Sequence, residues 1–301
     1  MTVFIERDDC GISIIKTGIG LQQLDILNVC WQYRPEKISP SILRKLCIKP
    51  TQGLDNIRIL QKRRGRVAFC LEDEATNRSY FVKYFYPRSW REYFKYSFQT
   101  SRASKERRAS IILSSISIKQ PELFAIGERR QAGIWKQSFL VYDYLQPVQT
   151  LKEYCQHRRS IPSVLIRKLA CLVSQIHNHD IYYSDLHGDN ILVQRTTDGP
   201  MQLLLIDPGE MKKINSLDKG RRINDLARLN GFIAANDFAR LRFIIFYIRL
   251  CKSDIGETRS ICKKVNNRTR QLWHHYLKKH GIDYERETQT KDQRSKNAEL
   301  S

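Results

Sequence analysis

Three polar residues, Asp185, Asn190 and Asp207, have the types and spacing to build an oxygen-donor site for a hard divalent cation. In IYYSDLHGDNILV, Asp185 and Asn190 stand five apart in a polar loop that runs straight into an apolar segment. Asp207 ends a second apolar segment, in LLLIDPGE. The runs Asn190 to Val193 and Leu203 to Ile206 flank the polar turn Arg195 to Pro200, which predicts a hairpin. Asn190 would open one strand and Asp207 would close the other, so both side chains would share one edge. Magnesium takes few protein oxygens and completes its octahedron with phosphate oxygens and water. Asn190 and Asp207 are therefore the expected metal ligands beside a nucleotide, with Asp185 placed to accept a hydroxyl proton. Gly209 is expected to make the sharp turn after the ligand, because glycine tolerates positive φ. Pro208 is expected to push Asp207 into an extended conformation.

Two further residues fit this chemistry. Lys83 lies in YFVKYFY and Glu106 in KERRASIIL. A strand lysine held by a helix carboxylate would be aimed at the α- and β-phosphates of a nucleotide. Singly these signals are weak: a strand lysine is usually solvated, a helix glutamate usually faces water, and an Asp-x4-Asn spacing is common by chance. The order Lys, Glu, Asp-x4-Asn, Asp-x-Gly, each on the expected kind of element, carries the argument and points to phosphoryl transfer. Gly65, in KRRGRVAF, is the lone glycine of the segment that would cover the phosphates, and Arg64 and Arg66 could substitute for missing backbone donors as point charges.

The elements that must position these groups divide the chain. Residues 1–55 carry no nameable chemistry and read as an N-terminal extension. From Ile57 to Tyr86 apolar and polar residues alternate, with a polar turn through Glu74 to Arg78, which predicts an antiparallel sheet. Ala103 to Leu113 has helix-forming composition, and Phe139 to Tyr144 reads as a strand. Beyond Pro147 the period changes: Leu165, Leu169, Leu172, Val173 and Ile176 line one face of an amphipathic helix. The expectation is an α+β, two-lobed fold. Residues 56–146 would form a lobe of antiparallel sheet with one helix, residues 147–285 a mainly helical lobe, and residues 286–301 a disordered tail.

On these residues the chain resembles the lipopolysaccharide core sugar kinases, the Kdo/heptose kinase family of the protein-kinase superfamily. The resemblance covers about Leu60 to Phe232. Lys83, Glu106 in SKERRASIIL with KQPELFAIGE after it, YYSDLHGDN and IDPG follow the family's order, and RRINDLARL resembles its Arg-x-x-Asp-Leu-Ala segment. The resemblance implies ATP and Mg2+ as cofactors, Asp185 as catalytic acid/base, and Asp225 as a brace for the catalytic-loop backbone. His187, two after Asp185, stands where protein kinases usually place a lysine. It implies contact with the transferring phosphate, a structural loop histidine being the other reading. Ser184 replaces the arginine that answers an activation-loop phosphate, which argues against regulation of that kind. Such departures would also suit a non-catalytic relative, although all three polar catalytic groups are present.

The acceptor class follows from what is short. Only 18 positions separate Asp207 from Asp225, with no Ala-Pro-Glu segment between them, whereas protein kinases use a longer stretch to lay out a peptide. A glycolipid or small-molecule acceptor is expected, with a small atypical serine/threonine protein kinase as the alternative. The net charge of +21 produces a positive field that favours anionic partners. An anionic membrane surface, bound peripherally from the cytoplasmic side, is the expected one. Nucleic acid is the runner-up, without any motif to support it. Trp273 and Tyr276, in the basic segment KKVNNRTRQLWHHYLKKHG, read as core of a terminal helical bundle, with outward-facing membrane contacts as the other reading. His274, His275 and His280 lack spaced partners for zinc. Eight scattered cysteines without a CxxC pair predict reduced thiols, and neither a signal peptide nor a membrane-spanning helix is expected.

Overall fold

The computed structural model describes residues 5–7, 13–16, 21–48, 56–146, 148–156, 158, 160–195, 201–231, 237–251 and 257–279. The chain divides into two compact units, Met1–Pro147 with Ile206–Gly209, and Val148–Leu205 with Glu210–Ser301.

Among its described residues, the first unit is built on one nine-stranded antiparallel sheet. Its strands are β1 (Ile5–Arg7), β2 (Ser13–Lys16), β3 (Gln22–Ile26), β4 (Val29–Tyr33), β5 (Ile57–Arg63), β6 (Arg66–Asp73), β7 (Arg78–Phe85), β8 (Leu123–Gln131) and β9 (Ile134–Asp143). Their order is β1-β2-β3-β4-β8-β9-β7-β6-β5. Strands β1 to β4 thus extend the sheet beyond β8. In β4, Val29, Trp31 and Tyr33 are buried while Cys30 and Gln32 are half-buried, the period of two that a strand with one core face requires. Trp31 pairs across the ladder with Gly127. A Cβ on Gly127 would stand 2.7 Å from the indole, so only glycine leaves room for the ring. The ring stacks on Phe139 at 5.3 Å and its Nε1 donates to Cys47 Sγ at 3.2 Å. Cys47 lies in α1 (Pro40–Ile48), whose Ile42, Leu43 and Leu46 are buried on one face against the same core as Phe69, Val82 and Val141. Full burial of each such aliphatic side chain contributes roughly 1.5–3 kcal/mol, enough to fasten a nine-residue helix to the sheet.

The expected helix of this unit is α3 (Arg102–Ser115), accompanied by α1 and by α2 (Trp90–Phe98). The Ser101 side chain accepts from the Ser104 N–H at 3.2 Å and caps the start of α3. The buried stripe of α3 is Ala103, Glu106, Ser110 and Leu113, at helical spacing, so a carboxylate is carried on the core face. Small residues on both sides of it let the helix lie close.

The second unit contains β10 (Val148–Thr150), α4 (Leu151–Gln156), α5 (Ser163–Asn178), β11 (Ile181–Tyr183), β12 (Ile191–Gln194), β13 (Gln202–Leu205), β14 (Met211–Lys213), α6 (Lys219–Asn230), α7 (Asp237–Leu250) and α8 (Thr258–Lys279). The expected hairpin is β12 and β13, in register from Ile191↔Leu205 to Gln194↔Gln202. Leu165, Leu169, Leu172, Val173 and Ile176 are all buried on α5, as their spacing predicts. Helix α5 packs on α7 and α6 on α8.

Trp273 and Tyr276 correct the reading that made them core. They are 37% and 48% exposed and stack on each other at 5.5 Å. The bonds that join α8 to α6 fall at Asn266, Arg268 and Thr269. At 22 residues against 12, α8 outruns its partner, and the aromatic pair lies past those bonds. Seven cysteines among the described residues are free thiols, and Cys10 lies outside them. His280 and the polar tail also lie outside the described residues. Among the described residues, no helix is long and apolar enough to cross a membrane, and no three His, Cys, Asp or Glu side chains group as a metal site.

Candidate active site

The first unit brings Lys83, Glu106 and Asp207 together. Lys83 sits mid-strand in β7, opposite Ala68 of β6 and Leu140 of β9, so its Cα position is fixed from both sides. Its Nζ bonds both Glu106 Oε1 and Asp207 Oδ1, and Tyr142 donates its hydroxyl to Glu106 Oε1 at 2.9 Å. The ammonium also stands over the Tyr142 ring, 5.3 Å from its centroid. Lys83 and Glu106 are only 4% and 5% exposed, a depth at which an unpaired charge would be costly. Pairing sets the protonation. Burial would pull Lys83 down, but Glu106 and Asp207 outweigh it and raise the ammonium. Burial pushes Glu106 up despite Lys83. Burial would also raise Asp207, but Lys83 and Arg66 hold its carboxyl at about 2. Burial, with Glu106 beside it, pushes the Tyr142 hydroxyl well up.

The backbone at Asp207 departs from the sequence reading. Asp207 has φ +54°, in the left-handed region, where Pro208 was expected to make it extended. Aspartate is among the few non-glycine residues that enter this region, and its carboxylate is tied to Lys83 and, at 3.3 Å, to Arg66. Gly209, expected to take the positive φ, lies in a 3-10 turn, Pro208–Glu210, without one. The reversal is made two residues earlier, at the acidic residue itself. Gly65 occupies the two-residue turn between β5 and β6 at φ +81°, and a Cβ there would collide with the Arg88 side chain. Arg66, a candidate point charge for the phosphates, bonds Asp207 and Gln61.

The second unit brings Asp185, His187 and Asn190 together on the loop between β11 and β12. Asn190 is 6% exposed. Its Nδ2 donates to the Asp185 main-chain oxygen at 2.9 Å and to Asp185 Oδ2 at 3.2 Å. His187 Nδ1 accepts from the Asp189 N–H at 3.2 Å, which puts the ring proton on Nε2, 3.4 Å from Asp185 Oδ1. Burial would raise Asp185, but His187 and Asn190 outweigh it and keep the carboxyl below its ordinary range. The loop is anchored from beneath by Asp225 of α6, fully buried, whose Oδ2 accepts from the Tyr183 N–H at 3.1 Å and bonds His177 Nε2 at 3.2 Å. Asp225 thus holds the backbone at Tyr183, just ahead of the Asp185–Asn190 loop, the kind of contact that the Arg-x-x-Asp-Leu-Ala resemblance implied. His177 Nδ1 reaches the Tyr247 hydroxyl at 2.7 Å, and Arg222 holds the His177 main-chain oxygen at 3.1 Å. Burial lowers His177, so it stands neutral between them.

Tyr142 and His177 escaped the sequence reading. Tyr142 was legible in principle, since it lies two after Leu140, the residue opposite Lys83, and strand side chains alternate faces. Nothing local marks His177, whose partners are 48 and 70 positions away.

Residues 51–254 match the lipopolysaccharide kinase (Kdo/WaaP) family. A solved structure, WaaP in complex with acyl carrier protein, shares the fold at a TM-score of 0.53 and 21% identity, over 75% of this chain and 89% of that one. No curated protein sequence matches the chain.

Proposed function

Because the chain belongs to the lipopolysaccharide kinase (Kdo/WaaP) family, we propose that it transfers a phosphoryl group from ATP to a sugar hydroxyl of a lipopolysaccharide core or similar glycolipid. The single observation that carries this is the Lys83, Glu106 and Asp207 set, a buried lysine oriented by a buried helix carboxylate and joined to an ionised, half-buried aspartate. Lys83 is the group for the α- and β-phosphates, and Glu106, steadied by Tyr142, aims it. The donors suit magnesium: Asp207 is ionised, and Asn190, with its Nδ2 committed to Asp185, leaves the carbonyl Oδ1 for a hard cation. When bound, the metal supplies charge neutralisation to the phosphates. Asp185, ionised and oriented by Asn190 and His187, takes the proton of the attacking hydroxyl, and His187 contacts the phosphoryl group in transit.

The 18-position interval from Asp207 to Asp225 supports a glycolipid over a peptide acceptor, and the +21 charge supports peripheral attachment to the anionic membrane face that displays it. The test is incubation of the purified chain with labelled ATP, magnesium and deacylated lipopolysaccharide core, with protein substrates in parallel. Label is expected in the core saccharide. Label confined to protein, or label that persists with Asp185→Asn, overturns the reading.

A further inference from the structure

Helix α2 presents its aromatic residues outward. Of its nine residues only Tyr96 is buried, held against Trp135 with ring centroids 5.0 Å apart. Trp90, Phe94 and Phe98, at i, i+4 and i+8, share the opposite side and are 68%, 55% and 89% exposed. At 1.5 Å per residue the row is about 12 Å long. A lone exposed ring needs no explanation, but a contiguous row marks a contact surface. Trp90 and Phe94 already meet edge to face at 6.2 Å.

Cations frame the row. Arg91 stands 5.6 Å over the Trp90 ring and Lys95 is exposed next to Phe94, while Arg88 is paired with Glu92 at 2.9 Å. At its far end Phe98 lines an open groove of about 570 Å³ with Arg107, Arg108, Arg130 and the exposed Ile111. Arg107 is bonded to Gln32 and Arg130 to Glu128, which fixes two guanidinium groups at the groove, and Arg108 is exposed. Rings that suit the headgroup level beside arginines that suit lipid phosphates are the combination an anionic bilayer surface selects.

We propose that α2 and the arginine groove beside it form the surface by which the chain docks on an anionic phospholipid bilayer, the three rings entering at headgroup level and the groove taking a lipid phosphate. The purpose of the docking rests on the glycolipid-kinase reading, whereas the surface stands on its own geometry. It deepens that reading by assigning the contact to the first unit rather than to Trp273 and Tyr276.

Trp31 and Trp135 are fully buried, so in a Trp273→Phe chain Trp90 is the indole that reports on lipid. With phosphatidylglycerol-containing vesicles its emission should shift to the blue and be quenched by brominated acyl chains, and phosphatidylcholine vesicles should do neither. Phe94→Ser with Phe98→Ser should weaken co-sedimentation with the anionic vesicles at least tenfold and leave phosphotransfer to a water-soluble core saccharide unchanged. Arg108→Gln should weaken anionic binding by a few fold. Unchanged Trp90 emission with vesicles, or vesicle binding that survives the double substitution, overturns the proposal, as does capture of an acidic protein by the row without vesicle binding. Lipid-dependent quenching in a chain that phosphorylates no soluble saccharide upholds the surface and removes the kinase reading instead.

Discussion

The Lys83 cluster of the first unit and the Asp185 loop of the second hold their polar groups by opposite means. Around Lys83 the charges balance one another directly, with two carboxylates, Glu106 and Asp207, set against the ammonium and Arg66, mostly out of water. On the loop, Asp185 keeps a side chain that is 47% exposed, and its order comes from Asn190, His187 and the buried Asp225 that grips the backbone behind it. In the proposed roles, the groups that would meet highly charged phosphates are thus neutralised in advance, whereas the group that would meet a neutral hydroxyl is left ionised and half in solvent. Loss of a charge from the Lys83 cluster should therefore unsettle the fold, whereas loss of the Asp185 charge should spare it.

The largest effects should be on turnover and binding. Asp185→Asn should lower phosphotransfer by about 10² to 10⁴-fold, the usual worth of a positioned general base, with binding of MgATP and unfolding midpoint both retained. Asp207→Ala should abolish metal-dependent nucleotide binding, read by calorimetry with and without magnesium. Full turnover by Asp185→Asn would remove that residue from the chemistry.

Next in size is stability. Lys83→Met leaves two carboxylates facing each other where burial already raises Glu106, and breaking a buried pair from one side costs about 3–5 kcal/mol. The sign with pH follows: a carboxyl whose folded pKa lies above its unfolded value favours folding as protons are added. Urea unfolding of Lys83→Met should accordingly show stability rising as pH falls from 7.5 toward the ordinary glutamate range. The native chain should do the reverse at lower pH. Asp207, held at about 2, contributes stability that is present above its ordinary carboxyl range and is lost as pH falls toward 2. Lys83→Met combined with Glu106→Gln should cost less than the sum of the two, since one coupled unit is broken twice.

A smaller effect separates bracing from chemistry. Asp225→Asn keeps an oxygen for the Tyr183 N–H but places an amide in a site shaped around His177, a change worth about 1–3 kcal/mol of stability. Its kcat should fall more than its KM rises, because the loop is displaced rather than the nucleotide site.

Both regions were legible in residue type and order, and less so in conformation. Period-two alternation through β6 and β7 and the helical stripe of α5 are local patterns, so the sequence shows them. The pairing of β4 with β8 joins residues about a hundred positions apart, and its one clue, a glycine beneath Trp31, has meaning only once the strands are side by side. The φ of Asp207 was misread because its neighbour Pro208 is a local influence, while the cations tied to its carboxylate come from distant strands. Local propensity yields to tertiary ion pairing there.

Arg66 gives the smallest and most selective break. It enters β6 directly after Gly65 and puts Nη1 3.3 Å from Asp207 Oδ2, so it occupies one oxygen of the proposed metal ligand. Its side chain is 22% exposed and that of Asp207 26%, so solvent screens the pair in part and its net worth is about 0–1 kcal/mol. Arg66→Ala should hardly shift the unfolding midpoint. It should, however, free that oxygen and remove one of the two cations that hold Asp207 down, so that proton and metal meet less competition. Mn2+ titration followed by electron paramagnetic resonance, without nucleotide, should then show tighter binding by a few fold. ATP binding should move the other way, since the segment that would cover the phosphates has a single glycine and loses a point charge. An Arg66→Ala chain whose metal and ATP affinities fall together would make Arg66 a structural prop for Asp207, and its pairing with the carboxylate would no longer count as competition with the metal.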